Sequence, residues 1–89
     1  MSDAVVSYKA AFATALDLWA ESRERASSDA AQRAASFAAQ GREQDAAYFR
    51  YVGRLLRLRA MHERAQSACL RSAPWQPSLA EHDPAHAFV

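Results

Sequence analysis

Near the start of the chain the large apolar side chains Val5, Tyr8, Phe12, Leu16 and Trp19, with Ala15 among them, recur in steps of three and four. That spacing places them on one face of an α-helix. Asp17, Glu21 and Glu24 fall largely on the other side, so a first helix is predicted over about residues 3–26. Ser27, Ser28 and Asp29 follow. With Gln32 three residues beyond it, Asp29 has the arrangement of an N-cap and capping-box partner. A turn is therefore expected at 27–29, then a short alanine-rich helix over about 30–40 with Phe37 as its one large apolar residue. Gly41 stands where a C-cap glycine would. A third helix is predicted over about 44–71, opened by Asp45 or Glu43 and carrying Tyr48, Phe49, Tyr51, Val52, Leu55, Leu56, Leu58, Met61 and Leu70.

A competing pattern runs through Gly41. Ala30, Ala34, Phe37, Gly41, Gln44, Tyr48, Tyr51, Leu55, Leu58, His62, Ala65 and Cys69 alternate in steps of four and three, which fits one helix of about forty residues. Glycine inside a helix costs only about 1 kcal/mol relative to alanine. A break at Gly41 is nevertheless expected, because its neighbours Gln40, Arg42, Glu43 and Gln44 give no hydrophobic reason to continue.

The stretch from Phe37 to Leu58 resembles the second half of a tetratricopeptide-type hairpin: a polar turn at Gly41, a small residue at Ala46, aromatics at Tyr48, Phe49 and Tyr51, then Gly53 and Leu56. Ala30 and Arg33 stand where that family has an aromatic and a leucine, and no second repeat follows. The pattern is thus that of a helical hairpin in general, and no family is assigned from it. The fold expected is all-α, a helical hairpin or three-helix bundle over residues 1–71, followed by an irregular tail, 72–89, that holds Pro74, Pro77 and Pro84 together with Trp75, Leu79, His82 and His86.

Composition sharpens this picture. Of the 51% hydrophobic residues, 22 are alanine, which favours helix but contributes little burial. A chain of 89 residues buries only about 60–65% of the surface it exposes unfolded, so a second copy of the chain is expected to supply missing apolar area as a homodimer. The formal charge of +1 hides an asymmetry: residues 42–71 hold seven arginines against Glu43, Asp45 and Glu63. The single cysteine, Cys69, excludes an internal disulfide and is read as a small buried hydrophobe in a reducing compartment. No apolar run is long enough to span a membrane and Met1-Ser2-Asp3 lacks a basic signal-peptide start, so a cytoplasmic protein is expected.

Two surfaces on the third predicted helix carry the candidate chemistry. Arg50, Arg54, Arg57, Arg64 and Arg71 project along one face for about 30 Å, with Arg42 and Arg59 off it. Such a ridge could follow a phosphate backbone, or be a solvated face partly paired with Asp17, Glu21 and Glu24. Tyr48, Phe49 and Tyr51 beside Val52, Leu55 and Leu56 make the helix apolar over more surface than one neighbour can cover. The first helix is expected to meet it through Tyr8, Phe12, Leu16 and Trp19, leaving the remainder for a partner. His62-Glu63 begins like a zinc-protease motif, but Gln66 occupies the place of the second histidine. His82 and His86 have metal-compatible spacing, yet Pro84 intervenes and no third ligand is evident. No nucleophile elbow or phosphate loop is present, and no carboxylate pair sits on a plainly apolar face.

These features point to a protein-interaction module of adaptor, chaperone or inhibitor type, without cofactor, metal or enzymatic activity. Its partner face is expected to comprise Tyr48, Tyr51, Leu55, Leu58, Arg50, Arg54, Arg57 and Arg64. A small nucleic-acid-binding regulator using the arginine ridge is the alternative.

Overall fold

The computed structural model describes residues 3–72, with side chains from Ser7 onward; the tail expected over 72–89 lies, but for its first residue, outside the described residues. Two helices, α1 (Asp3–Ala39) and α2 (Glu43–Ser72), form an antiparallel hairpin. At 37 and 30 residues they are about 55 and 45 Å long by helix geometry. The helical hairpin expected from the sequence is present; the three-helix alternative is not, because α1 runs through Ser27–Asp29 without a turn. No glycine or proline interrupts residues 3–39, and Ser27 is spent elsewhere. Its side chain is buried and its hydroxyl donates to the Gly53 carbonyl of α2 at 2.9 Å. That contact requires helix at position 27, and the local N-cap signal at Asp29 yields to it.

The break at Gly41 does occur. Gly41 has φ +77°, the left-handed conformation that glycine adopts without steric cost. The Gly41 N–H donates to the Ala38 carbonyl at 3.0 Å and the Arg42 N–H to the Phe37 carbonyl at 2.8 Å, the two bonds of a Schellman cap. Arg42 also lays its guanidinium over the Phe37 ring, 4.6 Å from the centroid. Its carbonyl accepts the Ala46 N–H at 3.0 Å, which starts α2 at once. Glu43 and Asp45 in the first turn suit the positive end of the helix dipole.

The seam between the helices is built from the smallest side chains. Ala13, Ala20, Ser27 and Ala34 on α1, and Ala46, Gly53, Ala60 and Ser67 on α2, recur every seven residues and are all buried. Ser67 donates to the Ala13 carbonyl at 3.2 Å, as Ser27 does to Gly53, and the register set by these bonds puts Ala20 level with Ala60 and Ala34 level with Ala46. Small side chains at each level let the backbones approach closely; a Cβ built on Gly53 would lie only 3.5 Å from the Ala30 Cβ. A second ladder, whose two outer rungs lie fourteen residues apart, flanks the first. It stacks Phe37 on Phe49 with centroids 5.5 Å apart and pairs Arg23 with Glu63.

This geometry corrects the expected core. Leu16 is buried, but Tyr8, Phe12 and Trp19 are 74%, 44% and 49% exposed. The seam lies on the alanine side of the aromatic stripe. Among the described residues no large side chain is fully buried. Each buried alanine withdraws about one methyl group from water, worth about 0.8 kcal/mol, against about 1.5–3 kcal/mol for a leucine or phenylalanine.

Candidate protein-interaction face

All four apolar residues assigned to the partner face are exposed. Tyr48, Tyr51, Leu55 and Leu58 are 48–60% exposed and follow one another in steps of three and four along the outer side of α2. His62, Ala65 and Cys69, all exposed, continue the stripe in the same rhythm. The exposure of Cys69 overturns its expected role as a buried hydrophobe. On one side the stripe opens into a groove shared with α1, where Phe12, Leu16 and Trp19 face Leu55, Leu58 and His62. Phe12 and Trp19 thus belong to the exposed apolar face, which the sequence assigned to the core.

The arginines divide into two groups. Arg64 grips Glu24 with two short bonds, Nε to Oε2 at 2.8 Å and Nη2 to Oε1 at 2.7 Å, and lies 4.0 Å from Asp17. Arg71 donates to Asp17 at 2.9 Å and to the Thr14 hydroxyl at 3.3 Å. This end of the ridge clamps the hairpin, and Glu21 pairs instead with Arg25 on its own helix. Towards the turn, Arg50 has only a distant approach to Glu43, 3.9 Å, while Arg54 and Arg57 make no ion pair with any described residue. These three arginines wall a shallow groove floored by Ala31, Ala34 and Ala35.

The clamp leaves an electrostatic trace. Asp17 is held below the ordinary carboxylate range by the nearby Ser67 hydroxyl, which has one proton for Asp17 and the Ala13 carbonyl, and by Arg71 and Arg64. Glu24 is lowered by its bonds to Arg64, and Arg64 is raised in turn. A depressed carboxylate contributes stability that is fully present above its unfolded pKa and lost as pH falls through the folded value. Thermal melts should therefore hold level between about pH 7 and 5 and decline once the pH drops below about 4. Asp17→Asn with Glu24→Gln should flatten that acid limb; an unchanged limb would show that other carboxylates govern it.

Sequence reasoning missed one polar feature of the seam. Glu63, whose side chain is only 6% exposed, receives the Arg23 Nε–H on both carboxylate oxygens, at 2.9 and 3.0 Å. The signal was its phase: Arg23 and Glu63 lie three residues from Ala20 and Ala60 in the buried ladder. Among the described residues no three His, Cys, Asp or Glu side chains gather as a metal site would require, and no helix is long and apolar enough to cross a membrane. His82 and His86 lie outside the described residues. Compared with family models, with curated proteins and with solved structures, the chain matches none.

Proposed function

We propose that the hairpin is a protein-interaction module, of adaptor, chaperone or inhibitor type, that presents the outer stripe of α2 and the Phe12–Trp19 groove to another helical surface. One observation carries this reading: the closest contacts of the seam are made by alanine, serine and glycine, while Phe12, Trp19, Tyr48, Tyr51, Leu55 and Leu58 stand exposed. A two-helix unit with so small a core has little to hold it folded, and helices laid on the exposed face would supply the missing burial. Tyrosine and arginine flank that face, and both are enriched where interfaces concentrate their binding energy. A homodimer is the simplest form of such an assembly.

The alternative, a nucleic-acid regulator, is weakened by the clamp. With Arg64 and Arg71 committed to Asp17 and Glu24, Arg50, Arg54 and Arg57 remain, a span of about 10 Å. Three arginines neutralise at most three phosphates, against about six to ten in strongly salt-dependent complexes.

The test is capture of the tagged chain from cells that express it, with and without nuclease, beside Tyr51→Ala, Leu58→Ala and the double variant Arg54→Glu/Arg57→Glu. A protein complex that survives nuclease and the arginine reversals but falls at least tenfold in both alanine variants is expected. Retention in both alanine variants would overturn the reading, and loss on nuclease treatment would transfer it to the arginines.

A further inference from the structure

We infer that the partner on this face is a second copy of the chain, with the two α2 helices antiparallel and Tyr48 of each copy level with Ala65 of the other. The inference rests on the interaction-module reading and specifies its occupant. The stripe Tyr48, Tyr51, Leu55, Leu58, His62, Ala65, Cys69 alternates three and four residues, the rhythm of a coiled-coil seam. Every member is exposed, so this seam lacks its second helix among the described residues.

Side-chain size selects the occupant. The stripe is bulky in its first half, with two tyrosines and two leucines, and slender in its second, with Ala65 and Cys69. An antiparallel copy in this register sets Tyr48 against Ala65, Tyr51 against His62 and Leu55 against Leu58, each match occurring twice about the two-fold axis. The bulky Tyr48 meets the small Ala65 at both ends, while Leu55 and Leu58 pack on each other at the centre. A parallel copy would oppose tyrosine to tyrosine at one end and leave Ala65 facing Ala65 across a void at the other.

Charge on the borders agrees. The positions flanking the stripe are Ala47, Val52, Arg54, Arg59, Met61, Gln66 and Ala68, where the only charges are the two arginines. A parallel pair would bring Arg54 beside Arg59 of the other copy on both edges, a like-charge contact made twice. In the antiparallel register Arg54 lies over Met61 and Arg59 over Val52 of the other copy, so the aliphatic stems cover apolar surface and the guanidinium groups reach water. A foreign acidic helix would also suit these arginines, but nothing would then require the bulk of the stripe to decline along its length.

Two measurements on the full chain test the inference. Sedimentation equilibrium of the unmodified protein at tens of micromolar should return a dimer, and Leu58→Glu should return a helical monomer. For the register, Tyr48→Cys and Ala65→Cys are combined in a Cys69→Ser background. These cysteines are seventeen residues apart on one helix, about 25 Å, and cannot join within a chain. Mild oxidation should convert most of the protein to a covalent dimer, whereas either single cysteine variant, and native Cys69 alone, should stay unlinked. A monomer at every concentration would overturn the inference. So would a Cys69-linked dimer, since the proposed register keeps the two Cys69 residues apart, or linkage through Tyr51→Cys and native Cys69 in place of the 48–65 pair. A monomer whose captured partner is lost in Leu58→Ala would sink the second copy while leaving the interaction module standing. Monomer and undiminished capture together would remove both.

Discussion

Replacing both Ala20 and Ala60 with leucine should remove about half of the hairpin's stability or more. Both alanines are essentially inaccessible, at 0% and 1% exposure, and the register places them level with each other. Two leucines there have no cavity to fill, so the helices must separate or the side chains must leave their rotamers. Overpacking costs about 1–3 kcal/mol per site, and a domain of this size has about 4–10 kcal/mol in total. The double change therefore consumes about half of the stability or more. A contrasting variant isolates the cause. At Gly53 an added Cβ would meet Ala30 and the Ser27 carbonyl at 3.5 Å, ordinary van der Waals distances. Gly53→Ala should accordingly fit and gain up to about 1 kcal/mol from helix propensity. Circular dichroism during urea titration reads both effects: a midpoint lowered by leucine and raised by Gly53→Ala supports the small-residue seam. Leucine tolerated without loss would mean that the helices do not pack at this spacing.

The same seam explains which parts of the fold could be read from the chain. Helix content and the hairpin were legible because the breakers are so sparse: no proline precedes Pro74, and Gly41 sits in a polar stretch where its left-handed conformation closes a Schellman cap. The turn expected at Ser27–Asp29 was misread because serine and aspartate look alike as a cap and as helix interior, and only a contact 26 residues away in sequence, Ser27 to Gly53, decides between them. The packing face was misread for a related reason. Hydrophobic periodicity weights Phe12 and Trp19 above Ala13 and Ala20, yet close approach of two helices selects the smallest side chains. The seven-residue recurrence of Ala13, Ala20, Ser27, Ala34 and of Ala46, Gly53, Ala60, Ser67 was the legible signal. On the candidate face, the exposure of Tyr48, Tyr51, Leu55 and Leu58 agrees with the sequence reading, since helix α2 carries more apolar surface than α1 covers. The arginine ridge was legible as a stripe, with Asp17, Glu21 and Glu24 expected as partners for part of it, but Glu21 pairs with Arg25 instead and which arginines the other two engage depended on the register of the two helices.

Truncating Arg23 should cost more than truncating Glu63, although the two form one ion pair. Glu63 is almost wholly enclosed, whereas the Arg23 side chain is 33% exposed at the edge of the seam. In Arg23→Ala the carboxylate remains enclosed beside the alanine ladder with its Nε–H donor gone, and a buried charge left without its partner costs about 3–5 kcal/mol. Partial access to water at this edge discounts that figure to about 2 kcal/mol. Glu63→Ala leaves an arginine that can swing its guanidinium into solvent, so the loss there is mainly that of packing, about 1 kcal/mol. Replacing both with leucine or methionine should restore stability to wild-type level or above, because an apolar pair avoids the desolvation that the ion pair incurs. Urea midpoints of the four proteins decide the matter. Equal losses in the two single variants, or a double apolar variant no better than Arg23→Ala, would mean that the pair contributes net stability instead of compensating its own burial.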